Sequence, residues 1–342
     1  MNIKSACLRR LLVIALFFAF TSDFKGYGQS LDSLSKGTEE YFTDLTDHLN
    51  IRLFSLTKFN SLNINDENTN YILRPNGKTN LGIGFNFKFI GIGLSFGLPQ
   101  SQNRIYKYGK TSAFDLQVSV FGTWFGFDGY IQSYKGYYLS NPKDFVSWDK
   151  DYQPQIPDLS ISSIGLMGFY IFNNKKYSYK AAYNKTQIQN RSAGSFILGL
   201  FAHTDAGRTD NGFIPKEIKD SIQTDFDLSE FDLLSVGVSV GYMYTFVIKK
   251  NFSINLSLIP GFGVQKVSLK AMDGTGGIET QPAAQLLARA SLSYEFKWFY
   301  AGFVASNIFR NFSYNNYNID LGTSRIRFYI GKRFDVSKKK KK

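Results

Sequence analysis

Between residues 234 and 248 the chain alternates with a period of two. Leu234, Val236, Val238, Val240, Tyr242, Tyr244, Phe246 and Ile248 fall on one face, and Ser235, Gly237, Ser239, Gly241 and Thr245 occupy most of the other. Successive side chains of a strand point to opposite faces, so this pattern predicts a strand with one apolar and one small, polar face. The next segment repeats it, with Phe252, Ile254, Leu256, Leu258, Phe262 and Val264 against Ser253, Asn255, Ser257, Gly261, Gly263 and Gln265. Only Lys249 to Asn251 separate the two, which predicts a tight hairpin. Leu81 to Phe89 and Ile92 to Leu98 read the same way, each over about nine residues, the length a tilted strand needs to cross a bilayer. A soluble sandwich would turn its apolar face inward and its charges outward. Here the second face is glycine-rich and sparsely charged, which suits a lumen.

The same reading along the chain predicts strands at 49–59, 80–89, 91–99, 112–123, 126–138, 159–172, 193–204, 232–248, 252–266, 283–297, 299–312 and 324–334. The expected fold is all-β, an antiparallel transmembrane β-barrel of about twelve strands. Residues 60–79, 100–111, 139–158, 205–231, 267–282 and 313–323 are long connections, alternating with short ones around Ile90, Trp124, Asn251 and Trp298. Such barrels have short periplasmic turns and longer outer loops, so both termini are expected on the periplasmic side. Residues 173–192 break the rule, because a periplasmic turn should not be so long. A further strand between Tyr177 and Gln187 would make the count odd, so twelve is kept.

Composition supports this picture: 17% of residues are aromatic and there are 30 glycines, as suits a barrel with aromatic girdles. Lys4, Arg9 and Arg10 precede the apolar run Leu11 to Phe20, too short to span as a helix, so residues 1–28 read as an export signal cleaved after Gly28. The only cysteine, Cys7, lies in that leader, which leaves the mature chain without thiol chemistry. The formal net charge of +13 is mostly terminal, with +3 in residues 1–28 and +5 in Lys338 to Lys342, so it is no argument for nucleic-acid binding. Residues 29–48 form a periplasmic segment whose Leu31, Leu34, Tyr41, Phe42 and Leu45 could make a short amphipathic helix plugging the mouth, or a disordered leader. The barrel proper is 49–334, followed by a basic periplasmic tail, 335–342, solvated or touching anionic cell-wall polymers. The last strand ends Gly331-Lys332-Arg333-Phe334, a form similar to the signal read by barrel-assembly machinery.

Leu73-Arg74-Pro75-Asn76 stands before Leu81-Gly82-Ile83-Gly84, then come Phe96-Gly97-Leu98-Pro99 and Tyr108-Gly109-Lys110-Thr111 leading into Phe114-Asp115-Leu116-Gln117. They are followed by Gln132 to Tyr138, Tyr177 to Asn184 and Ser192 to Phe196. In that order, from about Asn50 to Phe334, the chain resembles a family of uncharacterised Bacteroidota proteins, domain of unknown function 4421. The resemblance implies the outer membrane of a Gram-negative host and brings no activity or catalytic residue.

Chemistry has few carriers. There are two histidines. His48 beside Asp47 precedes the first strand, a bland position. His203 stands at the predicted outer end of its strand with Asp205 two residues on, the weak candidate pair for an outer-membrane hydrolase. No nucleophile motif accompanies it; Ser160, Ser162 or the Ser229 region would have to supply one. The acidic loop around Asp225 and Asp227 lacks calcium-loop spacing, so no metal or cofactor is expected. The alternation puts Lys88, Asp115, Asp128, Arg289, Glu295, Arg325 and Arg327 on the lumen face, where unpaired charge is costly and should pair or line water. A narrow channel or small-solute porin leads, ahead of a structural or assembly barrel binding a protein or cell-wall partner through its outer loops, and of a hydrolase. Contacts are expected with outer-membrane lipid, lipopolysaccharide and barrel-assembly machinery.

Overall fold

In a computed structural model, the protein is described over residues 40–65, 70–88, 90–221, 227–249, 251–296, 299–314 and 317–336. The expected leader, Lys338 to Lys342, Asp225 and Trp298 lie outside the described residues. The strands are β1 (Phe42–Asp44), β2 (His48–Asn65), β3 (Asn70–Pro75), β4 (Thr79–Phe87), β5 (Ile90–Gly97), β6 (Ser112–Phe121), β7 (Phe125–Leu139) and β8 (Gln155–Ile171). There follow β9 (Gln187–Gln189), β10 (Ala193–Arg208), β11 (Leu228–Ile248), β12 (Phe252–Ala271), β13 (Gly276–Glu295), β14 (Tyr300–Tyr314) and β15 (Tyr317–Asp335). One short helix, α1 (Gln102–Tyr108), joins β5 to β6.

The large sheet holds 13 strands, each antiparallel to its neighbours, and closes on itself where β15 pairs β2 from Asn318↔Asn65 to Asp335↔His48. All twelve strands read from the alternation are present, and they form the wall. The thirteenth, β3, folds back on the end of β2 and pairs β7 at Leu73↔Leu139 to Pro75↔Tyr137. At that end, the hairpin end, the ring runs β2–β3–β7; at the other, the terminal end, it runs β2–β4–β5–β6–β7. The barrel therefore loses two strands along its length, and β3 bridges the top of β4 to β6. Asn76 holds this joint: its backbone N–H donates to Thr111 Oγ1 at 2.8 Å and its Nδ2 to the Gly109 carbonyl at 2.7 Å, while Arg104 Nε donates to its Oδ1 at 2.9 Å. Thr111 in turn donates to the carbonyl of Gly136, whose φ of +94° and closeness to the Lys110 carbonyl leave no room for a Cβ. Three segments that carry the sequence resemblance meet here.

The apolar faces point outward across the wall. Leu234, Val236, Val238 and Val240 of β11 and Leu256, Leu258, Phe262 and Val264 of β12 are all exposed, the arrangement a bilayer requires. Aromatic rings crowd the outer surface at the terminal end, in contacts such as Trp124–Tyr170, Phe196–Tyr242, Tyr244–Phe246 and Tyr294–Phe296. Toward the hairpin end charge reappears outside, where Arg208 pairs with Glu230 at 3.0 Å and Asp232 at 2.7 Å.

Several connections expected to be loops are strand. β12 and β13 run on to Ala271 and Gly276, so 267–282 is a long hairpin, and β14 and β15 likewise run on to Tyr314 and Tyr317. The physical reason is an inversion of the apolar face. Beyond the lipid belt Leu62, Ile64, Phe231, Leu233, Val267, Leu269, Phe312, Ile319 and Leu321 point inward and pack with Trp148, Phe213 and Ile214 from the loops. The strands there enclose an apolar core, as a soluble sandwich does.

The 173–192 connection supplies no wall strand. It enters the barrel mouth as a plug: a π-helical turn at Lys180–Asn184, then β9, which pairs β1 at Phe42↔Gln189 to Asp44↔Gln187. The partner missing from the sequence reading is thus the segment before the barrel, whose described part is a strand and not a helix. Tyr177 and Tyr179 pack in one cluster with Phe169, Ile197, Met243 and Ile259, and Ala181 and Ala182 are buried.

Candidate functional site

Between the plug and the hairpin-end core lies a chamber of about 210 Å³. Its floor is fixed by the plug. Asn50 and Asn86 donate side-chain N–H groups to the Asn184 carbonyl, and Asn50 also reaches the Lys185 carbonyl at 3.0 Å. Asn255 donates to Tyr177 at 2.9 Å and accepts from Tyr183 at 2.7 Å. Lys185, with φ +64° and fully buried, donates from Nζ to the Ala181 carbonyl at 2.7 Å and to Ser293 Oγ at 2.6 Å. Burial lowers its ammonium to a pKa of about 7; Glu295 opposes this, and Arg333 and Arg52 add to it.

Behind Tyr130, which lines the chamber, sits an ion pair. Arg310 donates to Asp205 at 2.9 Å with both side chains almost wholly buried, and it also bonds the Tyr130 hydroxyl at 2.9 Å, while Ser163 donates to the same Asp205 oxygen. Removing one partner strands a buried charge. Asp205→Ala is expected to lower stability by about 3–5 kcal/mol, read as a shifted urea midpoint in folding into lipid; an unshifted midpoint would show the pair to be idle.

The walls carry the charges. Asp115 receives Lys58 as an ion pair, Gln132 Nε2 at 2.7 Å and the Tyr134 hydroxyl at 3.0 Å. Asp128 binds Arg289 at 2.8 Å across the lumen from β7 to β13 and accepts from Ser119 at 2.7 Å; Arg289 also contacts the Tyr179 hydroxyl of the plug. Arg325 bonds Gln117, Arg327 lies 5.1 Å over the Phe54 ring, and Arg52 reaches only the Tyr183 carbonyl at 3.4 Å. Among the described residues these three arginines have no carboxylate partner, and the Nε of each is buried without a hydrogen bond. The lining cations Arg52, Lys58, Arg289, Arg325 and Arg327 outnumber Asp115 and Asp128, which leaves the chamber with a surplus of positive charge. Such a space can hold an anion.

The structure brings together most of the charges placed on the lumen face by alternation. Asp115, Asp128, Arg289, Arg325 and Arg327 line the chamber. Glu295 sits nearer the terminal end, held by Arg333 at 2.7 and 3.0 Å. Lys88 does not line the lumen: β4 ends at Phe87, and Lys88 takes the left-handed turn position, φ +54°, exposed. Arg52 and Lys58 went unread because the first strand's alternation is broken by polar residues on both faces.

His203 is not at a rim. Its strand continues to Arg208, which places His203 inside the chamber wall, stacked on Phe201 at 5.5 Å between ring centres. Asp205 shares its face but is committed to Arg310 and Ser163. Ser160 and Ser162 alternate to the opposite face from Ser163, and Ser162 bonds Ser133 there. At the hairpin end Asp158 of β8 accepts from Thr209, the Asp210 N–H and Asn211 of the loop after β10, and Asp227 from the Phe213 N–H and Lys219. Those carboxylates organise the loop.

The model of the family described as "Domain of unknown function (DUF4421)" matches residues 31–334. No curated protein matches the chain. Among solved structures, the outer membrane protease OmpT of Escherichia coli is similar at 7% identity and a TM-score of 0.38, over 85% of this chain and 98% of that one. The translocator domain of the autotransporter NalP of Neisseria meningitidis is similar at 10% identity and 0.33, over 89% and 93%. The toluene transporter TodX of Pseudomonas putida is similar at 8% identity and 0.27, over 84% and 90%.

Proposed function

The chain belongs to the DUF4421 family, and we propose that it is an outer-membrane barrel that admits small anions to its lumen, a narrow channel kept shut at rest by its own plug. The observation that carries this is the trio Arg52, Arg325 and Arg327, charged, lumen-facing and without a carboxylate partner among the described residues. Guanidinium groups left unpaired in a low-dielectric space are costly unless an anion or water completes their hydrogen bonds. The termini and plug face the periplasm, because the long hairpins and their soluble-type core belong outside. No catalysis is assigned to His203, whose neighbouring carboxylate is occupied.

The test is the reversal potential in planar bilayers under a potassium chloride gradient. Openings are expected to favour chloride, and Arg325→Gln with Arg327→Gln to remove most of that preference. The purified barrel should hydrolyse neither phospholipid nor peptide. Cation-selective openings, or turnover lost in His203→Ala, would sink this reading.

A further inference from the structure

The wall of the chamber is incomplete on one side. β4 pairs β5 from Asn80↔Gly97 to Phe87↔Ile90, and β6 pairs β7 along its whole length. Between β5 and β6 the ladder consists of Ile90↔Val120 and Gly91↔Ser119 only. Beyond these the strands diverge, leaving the edges of Ile92–Gly97 and Ser112–Val118 without ladder partners across the gap, beneath the bridge that β3 makes overhead. Ile92, Leu94, Phe96, Phe114, Leu116 and Val118 are all exposed, which sets the gap at the height of the lipid belt. Backbone groups left unpaired in hydrocarbon cost several kcal/mol each, so an open edge at this depth is tolerated only where it lines a polar cavity or is covered. Here it does line one: Ile92 and Leu116, whose side chains face lipid, also border the chamber, together with Gly93, Ser95, Asp115 and Gln117. The chamber therefore runs through the wall to the bilayer. On the lumen side of the gap β5 offers only Gly91, Gly93, Ser95 and Gly97, and the path to Arg52 is flanked by the Phe54 ring, 3.6 Å from where a Cβ on Gly93 would stand.

We propose that this slot is a lateral portal through which a single-chain anionic amphiphile enters from the membrane, its carboxylate or phosphate head bound by Arg52, Arg325 and Arg327 and its hydrocarbon chain left in the slot. This rests on the reading of the chamber as an anion site and adds the route and the chemical class. The size agrees: about 210 Å³ is below the roughly 300–1,000 Å³ of pockets that enclose a whole ligand, so the head enters and the tail stays outside. The two carboxylates in the chamber do not oppose it, since Asp115 is neutralised by Lys58 and Asp128 by Arg289. The tail covers the apolar flanks, and polar head atoms reach the free strand edges.

The test uses the full barrel in phosphatidylcholine nanodiscs, with dansyl-undecanoate as fluorescent probe and dodecyl phosphate, inorganic phosphate and acetate as competitors. Continuing the register places Leu94 opposite Leu116, so Leu94→Cys with Leu116→Cys staples the portal when oxidised. Saturable binding is expected, displaced by dodecyl phosphate, weakened roughly tenfold or more by the staple and restored by reduction, and weakened by a similar factor in Arg52→Gln with Arg327→Gln. Should the staple not form, Gly93→Phe narrows the same path; a Cβ there meets only the Phe54 ring, at 3.6 Å. Binding unchanged in the stapled or filled barrel overturns the portal. Displacement by inorganic phosphate as strong as by dodecyl phosphate overturns the amphiphile while leaving the anion chamber standing. Probe uptake indifferent to the arginine substitutions overturns both.

Discussion

Replacing residues 174–190 by a short Gly-Ser turn is expected to convert a barrel that is almost silent in planar bilayers into one with steady, resolvable current. The plug fills the mouth at the terminal end with Tyr177, Tyr179, Tyr183 and the turn at Lys180–Asn184, and it is fastened to the wall through Asn50, Asn86, Asn255 and Ser293. No wall strand is interrupted by the deletion, so the ring from β8 to β10 still closes through Arg208↔Ser160 to Ile197↔Ile171. What the deletion removes is a stopper together with the hydroxyl and carbonyl partners of Arg289 and Arg52. Twelve-stranded barrels lie between filled small barrels and open porins, so the current should be well below that of a wide pore. Heat-modifiable mobility on unheated gels would show that the variant still folds. A folded but silent deletion variant would place the permeability barrier in the hairpin-end core instead.

Seating of the plug is expected to strengthen as pH rises from 7 to 10, with Lys185 as the titrating group. In the seated plug its ammonium has a pKa of about 7, against the ordinary 10.5 when the loop is free in water. Below pH 7 both forms carry the proton, and the seated form bears the full cost of a buried charge. Between 7 and 10.5 the free loop holds a proton that the seated one has lost, so raising the pH favours seating. Above 10.5 both are neutral and the dependence ends. Glu295 favours the charged form in place, while Arg333 and Arg52 disfavour it. Hydrogen exchange of plug amides, corrected for the intrinsic rate, should slow across this window, and channel openings should become rarer. Lys185→Met should remove most of the dependence, burial of Lys180 in the same turn supplying the rest, and should favour the seated plug at pH 6. An equal slope in that variant would assign the effect to another group.

The twelve wall strands were legible because lipid and lumen impose opposite demands on alternate residues, and a run such as Leu234 to Ile248 records both. The extensions were not, because the apolar side changes from outside to inside where the strand leaves the lipid belt. In β12 the apolar positions shift from Leu256, Leu258, Phe262 and Val264 to Val267 and Leu269, an even-to-odd change of phase that reads as a loop when only one phase is followed. That phase change is itself a sequence signal for where the bilayer ends. The plug has no period to read, since it is held by single hydrogen bonds to distant strands, and Arg310 with Asp205 pairs residues 105 apart. The gap between β5 and β6 has no local signature, because two well-patterned strands flank it.

The apolar core at the hairpin end makes this barrel a protein in two solvents. Within the belt, water is absent outside and the ladder hydrogen bonds hold the wall together. Beyond it, Leu62, Phe231, Val267, Phe312 and Leu321 are withdrawn from water in the ordinary way, so that half gains its cohesion from the hydrophobic effect and carries a positive heat-capacity change of unfolding. Urea and cold should loosen the projecting half first, leaving the membrane-embedded staves in register. The molecule can thus lose its closure at the hairpin end by a reversible, soluble-type transition without leaving the membrane.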